Sequence, residues 1–142
     1  MHSYTHKIKY YETDRMGITH HSNYIRWMEE ARLDWLEAIG WGLDKIEETG
    51  VVSPVVSITS NFKQTTTFPE EIEISVCVDE VKGARLRLSY VMKNAAGKTV
   101  FTGRSEHCFT DSRGKVLRLD RQLPDLYEAL LAQQEDINGK ER

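Results

Sequence analysis

The chain reads as one α+β domain, an antiparallel sheet wrapped around a long central helix. Three observations predict it. Apolar residues recur at three- and four-residue steps through one long segment, 22–39. From Val51 onward the period changes to two and persists through the strand region. Short turn signals separate the alternating segments, as they do between antiparallel strands. The helix is too apolar to lie on an exposed surface, so the sheet closes around it.

The elements follow in order. Tyr4 to Tyr11 alternates loosely, with His6, Ile8 and Tyr10 on one side, and is predicted as the first strand. Ser22 to Ile39 is the helix. Tyr24, Trp27, Met28, Ala31, Trp35 and Ala38 form its stripe, and Ile25, Leu36 and Ile39 widen it. Arg26, Glu29, Glu30, Asp34 and Glu37 carry much of its polar surface. Ser22 is the predicted N-cap and Gly40 the residue that closes the helix. At ~1.5 Å per residue this helix is about 27 Å long, enough to cross a sheet. A short helix near Leu43 to Thr49 ends at Gly50.

Four strand faces come next: Val56, Ile58, Ser60 and Phe62; Ile72, Ile74, Val76 and Val78; Leu86, Leu88, Tyr90 and Met92; then Phe101, Gly103, Ser105, His107 and Phe109. Turns at Phe68-Pro69-Glu70, Lys82-Gly83, Asn94 to Gly97 and Asp111 to Gly114 join them, which predicts a meander. Glu73, Ser75, Arg87 and Lys93 mark the wet face, and Gly103 suits close backbone approach to the helix. Val116 to Leu119 adds a short piece, and Pro124 opens a last helix through Leu126, Tyr127, Leu130 and Leu131. The domain is placed at 1–132, with a polar tail at 133–142 expected to fray.

A chain of 142 residues buries a core without staples. Its net charge of −3 provides no global basic field and argues against nucleic acid as partner. Met1 to His6 lacks the apolar core of a signal peptide, and no run is long enough to span a bilayer. Cys77 and Cys108 sit in apolar strands and are expected as free, buried thiols. These features predict a soluble, cytoplasmic protein with no membrane partner.

The chemistry concentrates in Tyr10 to Tyr24, where an acid, a glycine turn and two histidines precede the long helix. A carboxylate beside the positive end of a helix attacks, or activates water to attack, a carbonyl that the helix end polarises. That suits hydrolysis of an activated acyl ester. Asp14 is the candidate carboxylate, as nucleophile or as base. The plainer reading is a turn aspartate that bonds its own backbone. His21 is read as a positioning group that acts through its backbone N–H or its ring. Adjacent histidines diverge on most backbones and no further ligand has metal spacing, so no metal is expected at His20 and His21. Gly103-Arg104-Ser105-Glu106-His107 lacks the second glycine of a nucleophile elbow.

Tyr11-Glu12-Thr13-Asp14, Gly17-Ile18, His21-Ser22-Asn23-Tyr24 and Trp27 to Arg32 resemble the hot-dog-fold acyl-CoA thioesterases of the 4-hydroxybenzoyl-CoA thioesterase type. The Phe68-Pro69 turn and the long terminal hairpins are similar too, so the resemblance spans roughly 4–130. It implies a hot-dog fold, hydrolysis of an acyl-CoA to free acid and coenzyme A, and sites at the interface of a homodimer or homotetramer. Asp14 matches the family's catalytic carboxylate, and His21 or its neighbour the helix-end amide. Gly17 matches the turn glycine, and Tyr24 the aromatic residue that opens the helix. Lys82 and Arg85, at the Gly83 hairpin, are the candidate contacts to coenzyme A phosphates. No cofactor is implied beyond coenzyme A within the substrate. Glu12, Arg15, Met16 and His20 depart from the usual pattern. An acyl-carrier-protein thioesterase and a non-catalytic acyl-binding dimer are the alternatives.

Overall fold

The computed structural model describes residues 1–140, with side-chain surroundings through Gln134. In chain order the elements are β1 (His2–Lys7), α1 (Ser22–Ala38), α2 (Leu43–Glu48), β2 (Val55–Phe62), β3 (Glu71–Lys82), β4 (Arg85–Lys93), β5 (Thr99–Cys108), α3 (Leu119–Gln122) and α4 (Pro124–Lys140). The five strands form one sheet in the order β1-β3-β4-β5-β2, and every neighbouring pair is antiparallel.

The period-2 pattern is realised most cleanly in β3 and β4. Ile72, Ile74, Val76 and Val78 are buried against α1 together with Leu86, Leu88, Tyr90 and Met92. Glu73, Arg87 and Lys93 point to solvent. Trp27, Met28, Ala31, Trp35 and Leu36 form the covered side of α1, as the stripe predicts. Ile25 instead stands 40% exposed. Gly40 N–H reaches Glu37 O and Trp41 N–H reaches Leu36 O, which closes the helix where expected.

Several expectations need correction. The first strand stops at Lys7: Ile8 is buried, but Tyr10 to Glu12 form one 3-10 turn and Tyr10 is exposed. The strands are not a simple meander. Residues 63–70 are too long for a tight hairpin and carry the chain across the end of the sheet, so β2 pairs with β5 rather than with β3. Gly103 answers to the sheet and not to the helix: a Cβ there would lie 2.8 Å from the Phe101 ring and 3.0 Å from Thr59 O. Both cysteines are free, but only half-buried, because they fall on the outward-facing positions of β3 and β5. The backbone of α4 continues to Lys140, past the predicted boundary at 132, while the far end of the predicted tail lies outside the described residues. No described helix is long and apolar enough to cross a membrane.

Candidate active site

Asp14 sits at the tip of a small hairpin. Thr13 and Thr19 form an antiparallel bridge, Asp14 N–H bonds Ile18 O (2.8 Å), and Gly17 N–H bonds Asp14 O (3.0 Å). Gly17 has φ +77°, a conformation that costs a side chain but not glycine and lets the tight turn rejoin its ladder. Met16 N–H donates to Asp14 Oδ1 at 2.8 Å. The turn-aspartate reading is therefore realised by one oxygen. Oδ2 has no hydrogen-bond partner among the described residues and is available for chemistry.

The start of α1 lies beside this hairpin. Ser22 is not its cap: Ser22 Oγ and N–H both meet His20 Nδ1, at 2.9 and 3.2 Å, and His21 occupies the N-cap position with helical dihedrals. Asn23 N–H is taken by His20 O (3.0 Å). The His21 N–H has no acceptor among the described residues, and no acidic residue lies in the first turn to neutralise the helix end. The rings of His20 and His21 do not diverge as expected but stack, with centroids 4.3 Å apart.

Asp14, His21, Ile18, Tyr24 and Phe62 line one open cleft of about 280 Å³, with Lys63, Gln64 and Thr65 along its rim. Its floor is aromatic. Tyr24 stacks on Phe101 at 5.1 Å, and Phe62 meets both rings edge-on. The Tyr24 hydroxyl is held by Thr66 Oγ1 (2.9 Å), and burial pushes it above its ordinary pKa, so it stays protonated at neutral pH. Asp14 also borders a larger, polar cleft of about 710 Å³ with Tyr11, Asn23, Arg26 and Glu30. It thus stands between an apolar cleft and a polar one.

Glu12 lies two residues upstream and is buried. Burial raises its carboxyl, but hydrogen bonds from Lys9 N–H, His6 and Trp27 outweigh that and hold it below the usual carboxylate range. A second buried polar cluster lies further along the inner face of β5, where His107 Nε2 meets Ser105 Oγ (2.8 Å) and Ser105 meets the Tyr90 hydroxyl (2.8 Å).

Of the residues expected at the reacting centre, Asp14, His21 and Tyr24 line one cleft, and Gly17 closes the turn that carries Asp14. Lys82 and Arg85 do not join it within the protomer. They lie at the β3–β4 turn, the opposite end of β3 from the Asp14 hairpin, roughly 35–40 Å away at ~3.3 Å per residue. Phe62, Thr66 and Phe101 were not legible as site residues. Their only sequence signal is that the crossover after β2 is long enough to reach the Asp14 hairpin, where Thr19 Oγ1 and Thr66 Oγ1 lie 2.7 Å apart.

Residues 8–134 match the family model described as the thioesterase-like superfamily. The chain belongs to that superfamily. YneP of Bacillus subtilis, described as a candidate acyl-CoA thioesterase, is 30% identical over 124 residues, covering 87% of this chain and 90% of that one. The 4-hydroxybenzoyl-CoA thioesterase of Pseudomonas is 26% identical over 96 residues, 66% of this chain and 65% of its own. The solved DHNA-CoA thioesterase of Staphylococcus aureus superposes with a TM-score of 0.91 at 30% identity, covering 99% of this chain and 94% of that one. The antiparallel sheet around α1 is the hot-dog fold, and the protein is a thioester hydrolase.

Proposed function

We propose that this protein hydrolyses acyl-CoA thioesters as a homodimer, with Asp14 as the reacting carboxylate. The observation that carries the reading is that two residues line one cleft: Asp14, whose Oδ2 has no hydrogen-bond partner among the described residues, and His21, whose backbone N–H has no acceptor among them. A thioester carbonyl oxygen at the His21 N–H lies at the positive end of α1, where developing negative charge is stabilised. Two routes balance. In the first, Asp14 Oδ2 attacks the carbonyl carbon, the C–S bond breaks and coenzyme A leaves as thiolate; water then cleaves the anhydride and restores the carboxylate. In the second, Asp14 takes a proton from water as that oxygen attacks, and passes it to the departing sulfur. Tyr24 and Phe62 receive the acyl group. Only water and the thioester are consumed, and no metal or further cofactor takes part.

Two observations support the dimer. β2 is an edge strand with its inward apolar side chains uncovered. If it pairs antiparallel with the same strand of a second copy, the start of the partner's β2 meets the Phe62 end of this one. The partner's Lys82 and the partner's Arg85 then stand at the end of the joined sheet that carries Asp14. The basic hairpin so serves coenzyme A phosphates across the interface rather than within the protomer. The free thiols suit a reducing cytoplasm.

Free thiol release from a panel of acyl-CoAs tests the assignment. Asp14→Ala is expected to lose about 10²- to 10⁴-fold in turnover with the fold retained. Equal rates in both proteins remove Asp14 from the chemistry. Acyl-CoA binding without turnover by the native protein points to an acyl-binding dimer, and turnover of carrier-bound acyl groups alone to a carrier thioesterase.

A further inference from the structure

Glu12 is tied into the molecule by every polar group it has. Its Oε1 accepts from Lys9 N–H (2.8 Å) and from His6 Nε2 on β1 (2.9 Å), and its Oε2 accepts from Trp27 Nε1 on α1 (2.8 Å). Its backbone N–H donates to Lys9 O (3.0 Å). Its backbone carbonyl accepts from His20 N–H (2.8 Å) and from Asn23 Nδ2 (2.9 Å). The last two bonds matter most for geometry. The His20-to-Glu12 bond is the rung below the Thr13–Thr19 bridge, so Glu12 is the base of the hairpin that carries Asp14. Directly after His20 comes His21, which lines the same cleft as Asp14.

We infer that Glu12 is a positioning residue, which sets the separation between the Asp14 carboxylate and the His21 N–H by clamping the hairpin base to β1 and α1. This rests on the reading of Asp14 and His21 given above. The clamp needs a carboxylate rather than any polar group. A glutamine in the same place turns one acceptor oxygen into an NH₂ group. With NH₂ at the Oε1 position it faces Lys9 N–H; at the Oε2 position it faces Trp27 Nε1–H. Neither donor can accept, so one N–H loses its acceptor in either orientation and the base of the hairpin shifts. Small displacements of reacting groups are expensive in rate, on the order of 10²-fold for about 1 Å.

The test measures kcat and KM for acyl-CoA hydrolysis in Glu12→Gln, Asp14→Asn and the double variant. Glu12→Gln is expected to lower kcat about 10- to 100-fold with KM within about threefold, because the displaced group acts in the transition state. In the Asp14→Asn background the same change is expected to cost less than about twofold, since the group it positions is already gone. A general loss of folded protein would lower both backgrounds alike. Glu12→Gln at the native kcat overturns the inference, as does an equal loss in both backgrounds. Asp14→Asn at the native rate overturns the assignment of Asp14 itself and this inference with it. If Glu12→Gln does not fold, Trp27→Phe removes one donor and keeps a smaller aromatic ring in the core; a several-fold loss of kcat confined to the Asp14 background supports the clamp, and an unchanged or background-independent rate overturns it.

Discussion

The two edges of the sheet are finished in different ways. On one side β1 pairs only with Glu71 to Val76 of β3. The rest of that edge is sealed by the chain itself: α4 lies along it, and the Gln134 side-chain oxygen accepts Val81 N–H at 3.0 Å. On the other side β2 carries no charge and no proline, and among the described residues nothing pairs with its outer edge. Val55, Ile58 and Phe62, opposite the inward-facing His107, Ser105 and Phe101 of β5, are 46%, 36% and 53% exposed. β4 has the same alternation and buries every inward side chain. β4 also carries Arg85, Arg87 and Lys93, whereas β2 is uncharged and uncovered. Full burial of a side chain of this size is worth roughly 1.5–3 kcal/mol, of which each partly exposed one forgoes about a third to a half, and a bare apolar edge invites another strand. A second copy of the chain satisfies both needs at once.

Placing a charge in the bare edge should therefore break the comparison most severely. Ile58→Lys is expected to leave the protomer folded, at a cost within about 1 kcal/mol for a side chain already partly in water. It is expected to abolish the dimer and to lower turnover at least about 100-fold, because groups that bind and orient the substrate leave with the partner. Sedimentation together with thiol release checks this. A fully active monomer would show that the site is complete in one chain and that the bare edge has another use.

A mixing experiment sharpens the same comparison with a smaller effect. Asp14→Ala retains the basic hairpin, and the double variant Lys82→Ala/Arg85→Ala retains Asp14. If the hairpin serves the other protomer, exchanging subunits creates one native site in each mixed dimer, and about a quarter of native low-KM activity returns for a two-fold assembly mixed at random. If the hairpin serves its own protomer, mixing restores nothing.

Legibility in the sequence followed the range of the interactions. The α1 stripe and the β3 and β4 alternations depend on neighbours three, four or two positions away, and those elements appear where the pattern puts them. The Asp14–Gly17 turn and the start of α1 are equally local, so the candidate site residues could be read together. The strand order could not, because a turn signal says where a strand ends and not which strand it meets. The distance of Lys82 and Arg85 from Asp14 could not be read for the same reason: it depends on sheet direction and on a second chain. Glu12 was visible only as an unusual residue in its motif. Its role depends on the reach of one side chain to His6 and Trp27, which no spacing rule contains.

The smallest effect concerns how dry the interior is beside the bare edge. His107 faces inward from β5, the strand next to β2, and its Nδ1 is buried without a partner. Burial first, and the Arg32 guanidinium second, push its pKa down to about 3 from an ordinary 6.5. Above pH 6.5 the ring is neutral whether the chain is folded or unfolded, and His107 costs nothing. Between pH 6.5 and 3 the unfolded chain binds a proton that the folded chain refuses, so stability falls as pH falls, by at most about 1.4 kcal/mol per pH unit. From pH 6.5 to 5 this amounts to about 1–2 kcal/mol. Glu12 also favours unfolding in acid, but only below its unfolded value of 4.5, outside that interval. His107→Gln removes the titration. It is expected to be less stable than the native protein at pH 7, by about 1–2 kcal/mol for a disturbed core site, and to close that gap as the pH drops to 5. Urea unfolding of both proteins across this range is the measurement. Parallel curves would mean that His107 takes up its proton in the folded state, and that burial beside the bare edge does not keep the ring neutral.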